Sequence, residues 1–153
     1  MDACRIESFR GVVRRQELLG EARGVAVVDD FAHHPTAIAT TVDGLRRQAG
    51  NGRILAVLEP RSNTMKLGTM RAALAPSLAA ADLVFCYAPS LGWDPAEALA
   101  PLGKRAQTRS DLGELVDAIV AAARPGDRIL VMSNGGFGGI HDKLLARLAA
   151  SPA

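Results

Sequence analysis

The strongest constraint on this 153-residue chain is a repeated form, a short apolar run that empties into a polar loop. Arg53 to Leu58 reads Arg-Ile-Leu-Ala-Val-Leu, and Asp82 to Tyr87 and Asp127 to Met132 are built the same way. A strand with one face in water alternates apolar and polar residues, whereas a parallel strand covered on both faces is apolar throughout. Such runs are also far shorter than the roughly 18 residues of a membrane span. Parallel strands need long crossover connections, and the segments between the runs have helical character. The pattern predicts helices from Pro35 to about Gln48 and from about Lys66 to Ala80, the latter open to a break before Pro76. Further helices are expected over about Ala96 to Leu99, from an N-cap at Ser110 through Ala123, and from His141 to Leu148. Arg105 to Thr108 reads as a short edge strand. Near the start, Gly11 to Leu19 and Val25 to Val28 are strand-like and joined by the glycine-bounded turn Gly20 to Gly24, so they should pair antiparallel. The fold class is therefore a three-layer, Rossmann-like α/β domain. Its sheet of about six strands is mostly parallel, with an antiparallel strand from the N-terminal hairpin.

Composition narrows the partners. The chain carries 18 basic and 16 acidic residues, a net charge of +2, with the arginines scattered and no basic run. That gives no footprint for nucleic acid or for an anionic membrane. Cys4 and Cys86 are far apart and lack metal-ligand spacing, as expected of reduced thiols. The first residues, Met-Asp-Ala-Cys-Arg, do not form a signal peptide, and a cytoplasmic protein is expected.

Three strand exits hold the chemistry. Val27-Val28 runs into Asp29-Asp30-Phe31-Ala32-His33-His34 before Pro35 opens a helix. Leu58 runs into Glu59-Pro60-Arg61-Ser62-Asn63-Thr64-Met65-Lys66, and Met132 into Ser133-Asn134-Gly135-Gly136-Phe137-Gly138-Gly139. In a parallel sheet these exits face one side, where open α/β sheets bind their ligands. The plainer readings are a surface Asp-Asp turn for the first and a ligand-free glycine turn for the last. The glycine-rich stretch lacks Gly-x-Gly-x-x-Gly spacing, but its backbone N–H groups and the following helix start suit an anion. The sequence has no Gly-x-x-x-x-Gly-Lys-[Ser/Thr] phosphate loop, no nucleophile elbow, no His-Glu-x-x-His and no Cys-x-x-Cys. Such a domain would supply only part of a catalytic site.

Four stretches carry a resemblance: Phe9 to Glu17, Asp29 to Thr36, Leu58 to Gly68 and Ser133 to Gly139. Together they resemble the C-terminal domain of the Mur ligases, nearly end to end. Glu59-Pro60-Arg61-Ser62-Asn63-Thr64-Met65-Lys66 is most similar to the cell-wall-recycling branch, which joins L-alanyl-γ-D-glutamyl-meso-diaminopimelate to UDP-N-acetylmuramate. The muramate–alanine ligases share Asp-Asp-x-x-His-His-Pro but carry a different basic loop, with a second arginine near the position of Met65. The resemblance implies that residues 1–153 are the closing, peptide-binding domain of a longer enzyme, with Met1 an artificial start. A UDP-sugar domain and a central P-loop domain holding ATP and Mg2+ would precede it in cis, and the isolated domain would be inactive. The partners implied are UDP-N-acetylmuramate and the murein tripeptide, with no nucleic acid and no membrane. The alternatives are a biosynthetic Mur ligase, such as the UDP-N-acetylmuramate–L-alanine ligase, and a stand-alone α/β ligand-binding module.

The resemblance also implies roles. Arg15 matches the arginine that reaches the ATP phosphates, and Arg14 reads as an exposed neighbour. Asp30 matches the aspartate at the nucleotide ribose, while Asp29 orders the turn. His33 falls near the incoming substrate, and His34 reads as a packing residue at the helix start. Arg61, Ser62 and Asn63 sit where the family binds the incoming amino acid, and Arg61 suits a bidentate carboxylate pair. Lys66, Ser133 and Asn134 are further expected substrate contacts. Tyr87 and Trp93 are expected to pack rather than bind ligand. No residue of the domain is expected to be catalytic alone or to bind metal.

Overall fold

The structure is a computed structural model that describes residues 17–32, 35–49, 52–59, 68–87, 95–133 and 137–150. Six strands form one sheet: β1 Glu17–Ala22, β2 Val25–Asp30, β3 Ile54–Leu58, β4 Leu83–Tyr87, β5 Ala106–Arg109 and β6 Arg128–Met132. Among the described residues five α-helices connect or follow them: α1 Pro35–Ala49, α2 Gly68–Ser77, α3 Pro95–Ala98, α4 Leu112–Ala122 and α5 Ile140–Ala150. The strand order is β1-β2-β6-β3-β4-β5, with only the β1–β2 pair antiparallel. The expected α/β class and mixed sheet are therefore observed.

Each apolar run is apolar because both its faces are covered. Ile54, Ala56 and Leu58 of β3 pack with Ile38, Val42 and Leu45 of α1 and with Leu74 and Ala75 of α2. Leu55 and Val57 point the other way, onto Leu115, Val116 and Ile119 of α4 and Ile140, Leu144 and Leu148 of α5. All five β3 residues are buried, as a central strand between two helical layers requires. Ile38, Thr41, Val42 and Leu45, at helical spacing along α1, are all buried and form its inner face.

Local chemistry moved several boundaries. The hairpin turn is only Arg23-Gly24, with φ values of 56° and 80°, so β1 runs on to Ala22 through residues assigned to the turn. Two consecutive positive φ values match the twist of the flanking strands and permit a two-residue connection. A bulge between Leu18 and Gly20 shifts the β1 register. The N-cap of α4 is Asp111, not Ser110, and its carboxylate accepts from the Glu114 N–H at 2.9 Å. Pro76 lies inside α2 without ending it, one residue from the C-terminal Ser77. A 3-10 segment, Ala100–Arg105, precedes β5, and its Gly103 adopts φ 65°. The part of the first strand expected over residues 11–16 lies outside the described residues. No helix among the described residues is long and apolar enough to cross a membrane.

Candidate functional site

The strand order places the carboxyl ends of β2, β6 and β3 side by side, so the three polar exits share one rim. The helices after β2 and β3 cover one face of the sheet, and the helix after β6 covers the other. Connections from neighbouring strands thus leave in opposite directions, which makes β6 a topological switch point. Open α/β sheets bind ligands at such a switch point.

Strand geometry then divides the two aspartates. Successive side chains point to opposite faces, so Asp30 faces α1 and Asp29 faces α5. The Asp30 Oδ1 accepts from the Ala32 N–H at 2.8 Å and from the Thr41 hydroxyl at 3.3 Å. The Asp29 Oδ1 lies 2.8 Å from Nε2 of His141, in the first turn of α5. Asp30 thus holds the turn through Ala32, and Asp29 ties the strand to the last helix. Both aspartates are buried.

A second contact joins neighbouring strand ends. The Ser133 hydroxyl donates to Oε1 of Glu59 at 2.7 Å, joining the ends of β6 and β3. Backbone bonds from Glu59 N–H to the Met132 carbonyl and from Ser133 N–H to the Asp30 carbonyl, each 3.2 Å, carry the ladder one step beyond the strands. Ser133 is 1% exposed and Glu59 9% exposed. Burying a carboxylate is costly unless it is hydrogen-bonded, and the Ser133 hydroxyl meets that need.

Of the residues singled out in the sequence, Asp30 and Ser133 are described and lie on this rim. Arg15, His33, Arg61, Ser62, Asn63, Lys66 and Asn134 lie outside the described residues, as do Arg14, His34 and Trp93. The rim also holds Thr41, Glu59 and His141, to which no site role was assigned. Consecutive acids in a strand were the available signal, because one of them had to face each helical layer. Among the described residues no three His, Cys, Asp or Glu side chains converge on a point that would hold a cation.

The Mur ligase, glutamate ligase domain family matches residues 14–135. The chain belongs to the Mur ligase family. This Mur ligase domain is 56% identical to the UDP-N-acetylmuramate–L-alanyl-γ-D-glutamyl-meso-2,6-diaminoheptandioate ligase of Escherichia coli K12, over 93% of the chain and 32% of that protein. It is similar to the murein peptide ligase of Psychrobacter arcticus, with a TM-score of 0.83 and 42% identity, over 92% of the chain and 31% of that structure. A relative from Haemophilus influenzae, named for the same ligase activity as the Escherichia coli protein, is 51% identical over 96% of the chain and 33% of its own length. The chain thus spans about a third of the length of these relatives. In the Mur ligase domain Tyr87 stacks on Phe137, ring centroids 5.8 Å apart, in keeping with the packing role expected for it. Cys86 is wholly buried, and burial pushes its thiol pKa up, which keeps it protonated and unreactive.

Proposed function

We propose that this domain closes over the nucleotide and binds the incoming peptide in an ATP-dependent ligase joining L-alanyl-γ-D-glutamyl-meso-diaminopimelate to UDP-N-acetylmuramate. The observation that carries the reading is 56% identity over 93% of the chain to a ligase named for that reaction. The switch point at β6 supports it, because both loops proposed to hold the peptide start beside it. In the reaction a muramate carboxylate oxygen attacks the γ-phosphorus of ATP, and ADP leaves. The peptide amine then attacks the acyl phosphate carbonyl, releasing phosphate and a proton. Such a sequence depends on charge neutralisation at the phosphates and on close placement of the amine.

In this reading a UDP-sugar domain and a P-loop domain precede the present one in cis. A Mg2+ bound with ATP in the P-loop domain would neutralise phosphate charge. Arg15 and Asp30 serve the nucleotide, Arg15 at the phosphates and Asp30 at the ribose. His33, Arg61, Ser62, Asn63, Lys66, Ser133 and Asn134 serve the peptide. The proposed substrates, ATP and a UDP-sugar, place the enzyme in the cytoplasm.

Arg61 offers the sharpest test. A guanidinium can grip a carboxylate with two parallel hydrogen bonds, which an ammonium cannot reproduce. In the full-length ligase, Arg61→Ala should lower kcat/KM for the tripeptide at least about tenfold, equivalent to about 1.4 kcal/mol. The ATP value should change far less, and Arg61→Lys should restore the tripeptide value only in part. A tripeptide value within about twofold of the parent would place the peptide elsewhere. The isolated 153-residue chain should neither hydrolyse ATP nor form product. Steady turnover by it would overturn the division of labour among the domains.

A further inference from the structure

We propose that Arg109, at the carboxyl end of β5, binds a carboxylate of the third peptide residue, so that the peptide runs along the rim from β6 toward β5. The proposal rests on the ligase reading above. The strand order sets the direction. From β2, which carries Asp30, the rim passes β6, β3 and β4 to reach β5. In the ligase reading the nucleotide takes the β2 end, and the peptide amine meets the acyl phosphate beside β6 and β3. The β4 and β5 ends are then left for the rest of the peptide. Register brings Arg109 to the right height. Ser133, Glu59, Tyr87 and Arg109 stand level, each in line with the next across the sheet, because Met132 pairs with Leu58, Leu58 with Cys86, and Cys86 with Thr108. The span also fits. Neighbouring strands lie about 4.8 Å apart, which sets β5 about 10 Å from β3. An extended chain advances about 3.5 Å per residue, and the γ-linkage adds two methylenes, so the third residue lies roughly 10 Å from the amine.

The side chain itself is built for an anion. Its Nη1 donates to the Thr108 carbonyl and its Nη2 to Oε1 of Gln107, each at 2.8 Å. Both partners are neutral, so the positive charge stays uncompensated, and three of the five guanidinium N–H groups remain to donate. Asp111, two residues on, does not take them, since its carboxylate accepts from the Glu114 N–H at the start of α4. Among the described residues Arg109 is the one cation carried by a strand at the carboxyl ends of the parallel strands. Charge on an edge strand deters pairing with another chain, but that task needs no fixed orientation. Arg109 is half-buried and tied to its own strand at two points, which fixes its orientation before any ligand arrives. A fixed guanidinium fork matches a carboxylate with two parallel hydrogen bonds. The peptide named for the Escherichia coli relative ends in a diaminoheptandioate residue, which carries two carboxylates.

The test pairs Arg109→Gln and Arg109→Lys with altered peptides in the full-length ligase. One probe peptide carries lysine as its third residue and so lacks the distal carboxylate. The other has the α-carboxylate of its third residue converted to an amide. The expected result is a tripeptide kcat/KM at least about tenfold lower in Arg109→Gln, with the ATP KM within about twofold of the parent. One of the two probes should show no such loss, because it already lacks the carboxylate that Arg109 holds. That probe identifies which carboxylate it is, by the logic of a double-mutant cycle. Arg109→Lys should keep part of the tripeptide value, as an ammonium retains the charge but not the fork. A local defect in β5 would instead lower kcat/KM for all three peptides alike. Equal losses on the three peptides, or a tripeptide value within about twofold of the parent, would overturn the proposal and leave the ligase reading intact. A parent enzyme that ligates no tripeptide would overturn the ligase reading and this proposal together.

Discussion

The two ends of the sheet treat charge in opposite ways. At the amino ends of the strands, acids are paired with arginines. Arg53 makes a two-pronged contact with Asp127, at 3.0 and 2.6 Å, and also donates to the Ala122 carbonyl at 2.8 Å. Asp127 in turn accepts from the Arg124 N–H at 2.8 Å. Arg46 pairs with Asp82 and reaches the Gly52 and Ala80 carbonyls, while Asp82 accepts from the Ile54 N–H at 2.8 Å. Arg105 donates to the Ala79 and Ala81 carbonyls. At the carboxyl ends, the described partners of the acids are instead hydroxyls, a backbone N–H and an imidazole.

An arginine fork filled by a carboxylate and two turns is a brace, complete in itself. A carboxylate held by a hydroxyl is oriented rather than braced. The difference teaches that one end of the sheet secures the fold while the other presents groups, and that the two tasks can be mutated apart.

The largest effect should come from Arg53→Ala. It leaves the 4%-exposed Asp127 side chain without its charge partner, and breaking a buried pair costs about 3 kcal/mol or more. For a domain of this size that lowers Tm by about 6–12 °C, with substrate KM values unchanged in the full-length ligase. A Tm shift under about 2 °C would mean that water replaces the arginine, and the brace would lose its meaning.

Next in size is Asp30→Asn, at the other end. Asparagine keeps a carbonyl oxygen for Ala32 and Thr41, so Tm should barely move. The kcat/KM for ATP should fall about tenfold or more, the loss of one charge-assisted hydrogen bond. A fall in Tm with unchanged kinetics would assign Asp30 to the scaffold and break the comparison.

Asp111 sharpens it further, since this acid lies at the carboxyl end of β5 yet caps α4. Asp111→Ala should cost about 1 kcal/mol of stability and leave both substrate constants unchanged. Kinetic loss without thermal loss would show that location on this rim, rather than hydrogen-bond partner, sets a residue's task.

The smallest effect is a pH dependence. Burial works against the charge on Asp82, but the Ile54 N–H, the Arg46 hydrogen bond and the Arg46 and Arg53 charges outweigh it. Together they hold its pKa below the ordinary 3.8. The folded state therefore binds this proton less readily than the unfolded chain. The stability Asp82 contributes is complete above that value and is lost as pH falls below it. Thermal melts of Asp82→Asn and the parent should differ at pH 7 and converge below the ordinary carboxylate range. A constant gap across that interval would show that the contact acts without its charge.

Much of this was legible before any coordinates. Unbroken apolar runs such as Ile54–Leu58 can be satisfied only by helices on both faces, and that requirement yields the parallel sheet and its polar rim. The spacing of Ile38, Val42 and Leu45 likewise specified which side of α1 faces inward. Boundaries were less legible where a single conformation decided them. The positive φ of Arg23, a residue that rarely adopts it, shortened the hairpin turn, and Asp111 took the cap one residue beyond Ser110.

The pairing of site residues was not legible at all. Glu59 finds Ser133 across 74 residues, and Asp29 finds His141 across 112. Outside the hairpin, residue types and local spacing carry no information about which strand lies beside which. That information comes from the return of β6 into the gap between β2 and β3, where its apolar run is buried on both faces. Once β6 occupies that position, the two-residue period of the strands aims Asp29, Glu59 and Ser133 at one layer and Asp30 at the other. Chain composition supplied the polar groups, and long-range packing alone decided their partners.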